Sequence, residues 1–138
     1  MHLRYGLLAD SVAPGAQGKK NIIGTFQAIH AGKYPCVHPS LSLLIRIEGD
    51  ASETGPHEIE LVFVDADYKA IAKPMKAEFR LDEKSRPAPG VPVSAEVVMN
   101  IQNLPLAKAG PYEFVLRVDG RHLGGIPLYA VEAKQPGG

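Results

Sequence analysis

This sequence predicts an all-β protein: a single antiparallel β-sandwich of about eight strands with an immunoglobulin-like Greek-key path. Three observations lead there. Apolar residues recur at every second position through most of the chain, the period of a strand with one buried face. Fourteen glycines and 12 prolines interrupt those stretches at short intervals. No window of about eleven residues or more keeps a helical period without one of these breakers.

The strands read off in order. Leu3–Leu8 and Ile22–Ile29 are the first two, and in the second Ile22, Gly24, Phe26 and Ala28 share a face. A glycine inside that pattern points to a bulge or a close backbone approach. Leu41–Glu48 alternates most cleanly, with Leu41, Leu43, Ile45 and Ile47 inward, Ser42, Arg46 and Glu48 outward, and Leu44 breaking the rule. Ile59, Leu61 and Phe63 face inward against Glu58 and Glu60. Met75, Ala77, Phe79 and Leu81 oppose Lys76, Glu78 and Arg80. Val93, Ala95, Val97, Met99 and Ile101 form the next face, followed by Tyr112, Phe114, Leu116 and Val118. Leu123–Val131 closes the set.

The connections carry their own chemistry. Asp119-Gly120 signals a type I′ hairpin, whose two central residues both need positive φ. Asp65-Ala66-Asp67-Tyr68 reads as a second tight hairpin, with Asp side chains bonding the turn backbone. Ser11–Gly18, Ala31–Ser40, Gly49–Pro56 and the Pro-rich Glu83–Pro92 read as longer loops. Gly110-Pro111-Tyr112 at the entrance to the penultimate strand has the form of a tyrosine corner, a device that pins a sandwich crossover. Residues 1–134 are expected to form one domain and 135–138 a flexible tail.

Several of these blocks occur together, in order. They are Leu7-Leu8-Ala9-Asp10, Gly18-Lys19-Lys20-Asn21-Ile22-Ile23-Gly24-Thr25-Phe26, Tyr34-Pro35, Asp65-Ala66-Asp67, Gly110-Pro111-Tyr112-Glu113-Phe114, Val118-Asp119-Gly120 and Gly125-Ile126-Pro127-Leu128. In this arrangement the chain resembles an uncharacterised bacterial family of small β-sandwich proteins, a domain of unknown function. The resemblance implies a β-sandwich in a bacterial cytoplasm and no assigned activity. It also implies glycine after Asp67, where this chain has Tyr68, so the type of that turn is open.

Composition narrows the function classes. At 138 residues, 45% hydrophobic and 22% charged, the chain can bury a core without disulfide or metal. Fifteen basic and 15 acidic residues cancel. A nucleic-acid or anionic-membrane binder needs a basic surplus or stripe, and Lys19-Lys20 with the scattered Lys69, Lys73 and Lys76 make neither. Those partners are not expected. The single cysteine, Cys36, forms no internal disulfide, which with the absence of a secretory h-region or apolar span leads us to expect a cytoplasmic setting.

No catalytic constellation emerges. Of His2, His30, His38, His57 and His122, only His38 lies close to the cysteine, in Tyr34-Pro35-Cys36-Val37-His38-Pro39. A zinc site needs two more ligands from elsewhere, so the segment reads as a proline-braced loop with Cys36 a small buried filler. Counted from Asp65, a calcium loop fails at its fifth, sixth and twelfth positions, held by Lys69, Ala70 and Lys76. A two-loop calcium site would need Asp65 and Asp67 with Asp50 or Glu53. Glu58 and Glu60 lie roughly 7 Å apart on one strand face, where solvation is the simple reading. Tyr34, Tyr68 and Tyr129 are the expected exposed aromatics. No nucleophile elbow, phosphate loop or dinucleotide fingerprint is present. The expectation is therefore a non-enzymatic module, without cofactor, catalytic residues or metal, that binds a protein partner or assembles with itself. The alternatives are a small-molecule or carbohydrate-binding module and, behind it, a metal-dependent hydrolase.

Overall fold

The computed structural model describes residues 1–133, so the tail expected at 135–138 lies outside the described residues. Nine strands follow one another: β1 (His2–Pro14), β2 (Lys20–Phe26), β3 (Ala28–Ala31), β4 (Cys36–Gly49), β5 (Gly55–Val64), β6 (Met75–Leu81), β7 (Val93–Leu106), β8 (Gly110–Val118) and β9 (Arg121–Glu132). No α-helix occurs among the described residues, only three single 3₁₀ turns. The all-β expectation holds; the count of eight does not. The predicted Ile22–Ile29 strand is two strands, because the chain crosses between sheets at Gln27.

The strands form two sheets, in the orders β2-β1-β4-β7 and β3-β9-β8-β5-β6. All pairs but one are antiparallel; short β3 runs parallel to β9, from Ala28↔Tyr129 to Ala31↔Glu132. The inward residues read from the alternation make the core. Leu41, Leu43, Ile45 and Ile47 of β4 are fully buried with Ile59, Leu61 and Phe63 of β5 and Phe114 and Leu116 of β8. Each such side chain contributes about 1.5–3 kcal/mol by leaving water. Phe63 stands at the centre, stacked on Tyr112 at 5.2 Å between ring centroids and tilted on Phe114 at 4.6 Å.

Leu44, which breaks the alternation, has its own place. It lies on the outer face of its sheet, in a row with Leu7 and Val98. Two polar rows flank it: Tyr5–Arg46–Glu96, where the Tyr5 hydroxyl donates to Glu96, and Ala9–Ser42–Asn100, where Ser42 Oγ donates to Asn100 at 2.7 Å. Those rows leave Leu44 only 1% exposed.

Local turn chemistry is largely as expected. Asp119 and Gly120 take φ of 51° and 81° between paired Val118 and Arg121, the two positive values of a type I′ turn. The Tyr112 hydroxyl donates to the Lys108 carbonyl at 2.7 Å, completing the tyrosine corner. The Asp65 turn closes tightly, with Val64 bridging Ala70, but the chain then detours and first pairs with β5 at Leu61↔Met75. It is a turn within a ten-residue connection, not a hairpin between strands. Tyr68 adopts φ of 59°, the left-handed conformation that glycine takes without cost.

Three expected loops are partly strand. β1 runs on to Pro14, β5 begins at Gly55, and the Cys36-Val37-His38 segment opens β4, paired with Leu104–Leu106 of β7. Alternation fades in these segments because one or both faces meet water. Their pairing is decided by a distant partner strand.

Candidate functional site

Two features stand out: a histidine clamp at one end of the sandwich, and a hairpin arm, β1–β2, at the edge of one sheet. The clamp joins the start of β5 to the β8–β9 turn. His57 Nδ1 lies 2.6 Å from Asp119 Oδ2, and Nε2 lies 2.6 Å from the Glu53 carbonyl. Both partners are acceptors, so the imidazole makes both bonds only as the doubly protonated cation. Burial opposes that charge, but the Asp119 carboxylate and the Glu53 carbonyl outweigh it and raise the His57 pKa above its ordinary value. Asp119 accepts the Glu58 amide at 2.9 Å, and that bond, then the imidazole, holds its carboxyl below the ordinary range. The ring of His57 stacks on Phe79 at 5.5 Å.

Beside the clamp, Asp50 caps a 3₁₀ turn in a capping box with Glu53. Glu53 also receives the N-terminal ammonium at 2.8 Å, which lowers its pKa. A cavity of about 430 Å³ opens here between Glu53, His57, Asp119, Arg121 and His122. A general base needs a nitrogen free to take a substrate proton. His57 has none, since both nitrogens are occupied by structure. The clamp fastens a strand end and a turn.

The residues singled out in the sequence do not converge. Asp65 accepts the Asp67 and Lys69 amides at 2.9 and 3.0 Å, and these bonds, that of Lys69 first, lower its pKa. Asp65 follows the last residue of β5, whereas Asp50 and Glu53 precede its first. Ten residues of strand, about 30 Å, separate the two groups, so the two-loop calcium site has no geometry. Glu58 and Glu60 project from the outer face of β5, with Lys76 Nζ between them at 3.9 and 4.0 Å. Cys36 is half-buried against the core, and His38 packs its ring against Phe26 at 6.0 Å. Among the described residues no three His, Cys, Asp or Glu side chains gather as a metal site. Tyr68 and Tyr129 are exposed as expected; Tyr34 is half-buried, its hydroxyl donating to the Val131 carbonyl at 2.8 Å. No described helix is long and apolar enough to cross a membrane.

The arm is the second feature, and the alternation does not announce it. β1 pairs with β4 only as far as Ala9↔Ser42, and beyond that point, among the described residues, it pairs with β2 alone. Asp10–Pro14 and Lys20–Thr25 therefore form a two-stranded ribbon with no third strand beside it among the described residues. Asn21 through Thr25 are all exposed, and Ile23 is 61% exposed. Gly24 sits at φ of 69°, opposite Asp10, between the pairs Ala9↔Thr25 and Ser11↔Ile23. The Asp10 carboxylate leans across the backbone there, into the space a Cβ at Gly24 would fill. At the root of the arm, Asp10, Thr25, Phe26, His30 and His38 border a cleft of about 280 Å³.

Solved structures resemble the chain at low identity. The alkylpurine DNA glycosylase AlkC of Pseudomonas fluorescens, solved on DNA containing an abasic site analog, matches with a TM-score of 0.50 and 15% identity over 76% of this chain and 28% of its own. A β-glucosidase from Listeria innocua in complex with gluconolactone matches with a TM-score of 0.46 and 10% identity, over 92% of this chain and 16% of its own. The chain thus spans well under a third of either enzyme. No curated protein sequence matches it. One family profile covers nearly all of it, from residue 4 to residue 131, and the chain belongs to that family of unknown function, DUF6941.

Proposed function

We propose that this protein is a non-enzymatic binding module that works through its β1–β2 arm. The observation that carries the reading is the exposed run from Asn21 to Thr25 on an edge strand whose ribbon has parted from β4. An edge strand offers a row of free backbone donors and acceptors to another chain, and proteins blunt such edges unless they use them. Ile22 and Ile23 stand on opposite faces of this ribbon, so burying either requires a second molecule. The clamp supports the same reading from the other side, since the best-placed histidine–carboxylate pair has no group to offer a substrate.

We read the path of the chain as an immunoglobulin-like Greek key. The sheet orders, the parallel β3–β9 edge and the tyrosine corner on β8 support this reading. The lone cysteine accords with a reducing, cytoplasmic setting.

The test compares native mass spectra of the wild type with those of Ile23→Glu, a change confined to an exposed side chain. A second chain of any kind, held by the wild type and lost from the variant, supports the reading. Wild type and variant running alike, with or without a bound chain, overturns it.

A further inference from the structure

The structure assigns the free edge of β2 a specific occupant: the β2 strand of a second copy of this chain, paired antiparallel about a two-fold axis at Ile23. This rests on the arm being the binding element, and names its partner.

The four sheet edges differ in how they are protected. β3 offers only four residues. β6 carries Lys76, Glu78 and Arg80 along its outward face, the charge pattern that keeps edges apart. β7 is covered at its start, where Ser94 donates its amide to Ser85 Oγ at 2.9 Å, and later carries Pro105 and a left-handed Asn103. β2 holds a single charge, Lys20, in seven residues. It is the least guarded edge, and Asn21 through Thr25 are exposed along it.

The strand is also complementary to itself. Antiparallel pairing about Ile23 sets Ile23 against Ile23, Ile22 against Gly24, Asn21 against Thr25 and Lys20 against Phe26. Side-chain alternation then places the incoming Lys20 on the face that carries Phe26 and Asp10. Gly24, lacking a side chain, is what lets the Asp10 carboxylate lean over β2 toward that edge. From the second copy, Lys20 needs to span roughly 8 Å from its Cα to the Gly24 backbone, which lysine and aspartate cover together. Among the described residues neither Asp10 nor Lys20 has an ion-pair partner within its own chain. Within one arm they are four residue positions apart along the ribbon, about 13 Å, too far to pair. The two-fold axis satisfies both at once, making two identical Lys20–Asp10 pairs. A net charge of zero adds no long-range repulsion between copies.

Sedimentation velocity over a concentration series tests this with the intact chain. The wild type sediments as a reversible monomer–dimer whose dissociation constant rises with salt. Ile23→Glu abolishes the dimer. Lys20→Asp and Asp10→Lys each weaken it by about tenfold or more, by turning two attractive pairs into repulsive ones. The double variant carrying both reversals recovers dimerisation. Circular dichroism verifies that each variant is folded, and all three positions are exposed or half-buried on the arm. A wild type that stays monomeric at every concentration overturns the inference. So does a dimer indifferent to the three single changes, or a double variant no better than the singles. A monomer whose arm still retains a different protein overturns this inference alone and leaves the binding reading standing.

Discussion

Replacing His57 by alanine is expected to cost about 3 kcal/mol at mildly acidic pH and distinctly less at alkaline pH. The figure comes from the clamp. Two hydrogen bonds of 2.6 Å are lost, and bonds to charged groups contribute roughly 1.5–3 kcal/mol each. Stacking on Phe79 adds about 0.5–1 kcal/mol. Asp119 is half exposed, so water screens its share and the lower end of each range applies. The pH dependence follows from proton linkage. The folded state holds the His57 proton more tightly than the unfolded chain, whose pKa is near the ordinary 6.5. The charged clamp's contribution is therefore complete below about pH 6.5 and fades as pH rises through the folded-state pKa. Neutral His57 keeps one of its two bonds, so part of the difference survives. Asp119 behaves oppositely: its lowered pKa gives stability above the ordinary 3.8 that is lost as pH falls through the folded value. Urea unfolding of wild type and His57→Ala at about pH 5.5, pH 7 and pH 9 reads the difference directly. A gap that stays constant over that range, or widens toward alkaline pH, refutes the doubly protonated clamp.

The turn at Tyr68 makes a prediction of the other sign. Tyr68 is 70% exposed and left-handed, so Tyr68→Gly relieves backbone strain while losing little packing, and chemical denaturation should show a gain of about 1 kcal/mol. Unchanged or lower stability would place the strain elsewhere. Tyr112→Phe keeps the ring against Phe63 but removes the bond to the Lys108 carbonyl, for a loss of about 1 kcal/mol and a melting temperature lower by a few degrees. Equal melting temperatures would mean that the corner holds without its hydroxyl. Gly6→Ala puts a methyl 2.5 Å from Ile126 Cδ1, where β1 crosses β9, and should cost about 1–3 kcal/mol in the same assay.

How much of this was legible in the sequence depends on the range of each interaction. Tyr112 bonds a carbonyl four residues upstream, and Asp119-Gly120 turns the chain within its own dipeptide. Both could be read locally, as could the inward faces of β4, β5 and β8, because a buried face imprints a period of two. Strand ends could not. Cys36-Val37-His38 looks like a loop between prolines, yet its backbone is claimed by Leu104–Leu106, some seventy residues on. The split of Ile22–Ile29 into β2 and β3 was hidden for the same reason. Alternation continues across Gln27, and only the two sheets decide that its halves belong apart.

The candidate sites show the same limit more sharply. His57 and Asp119 are 62 residues apart, and neither carries a local mark that separates it from a solvated histidine and a turn aspartate. Of the carboxylates that did carry such marks, Asp65 turned out to cap its own turn, and Asp67 gives it a backbone amide. The arm lies between these cases. Its apolar residues were visible, but a period of two states only that alternate residues share a face, not that the face is covered. Pairing with β4 ends at Ala9 although β4 itself runs on to Cys36 beside β7, and where two strands part company is a property of their paths compared in space. An isoleucine on each face of a ribbon with a single neighbour has no core to enter within its own chain. Its burial, and with it the use of the arm, is a question about a second molecule.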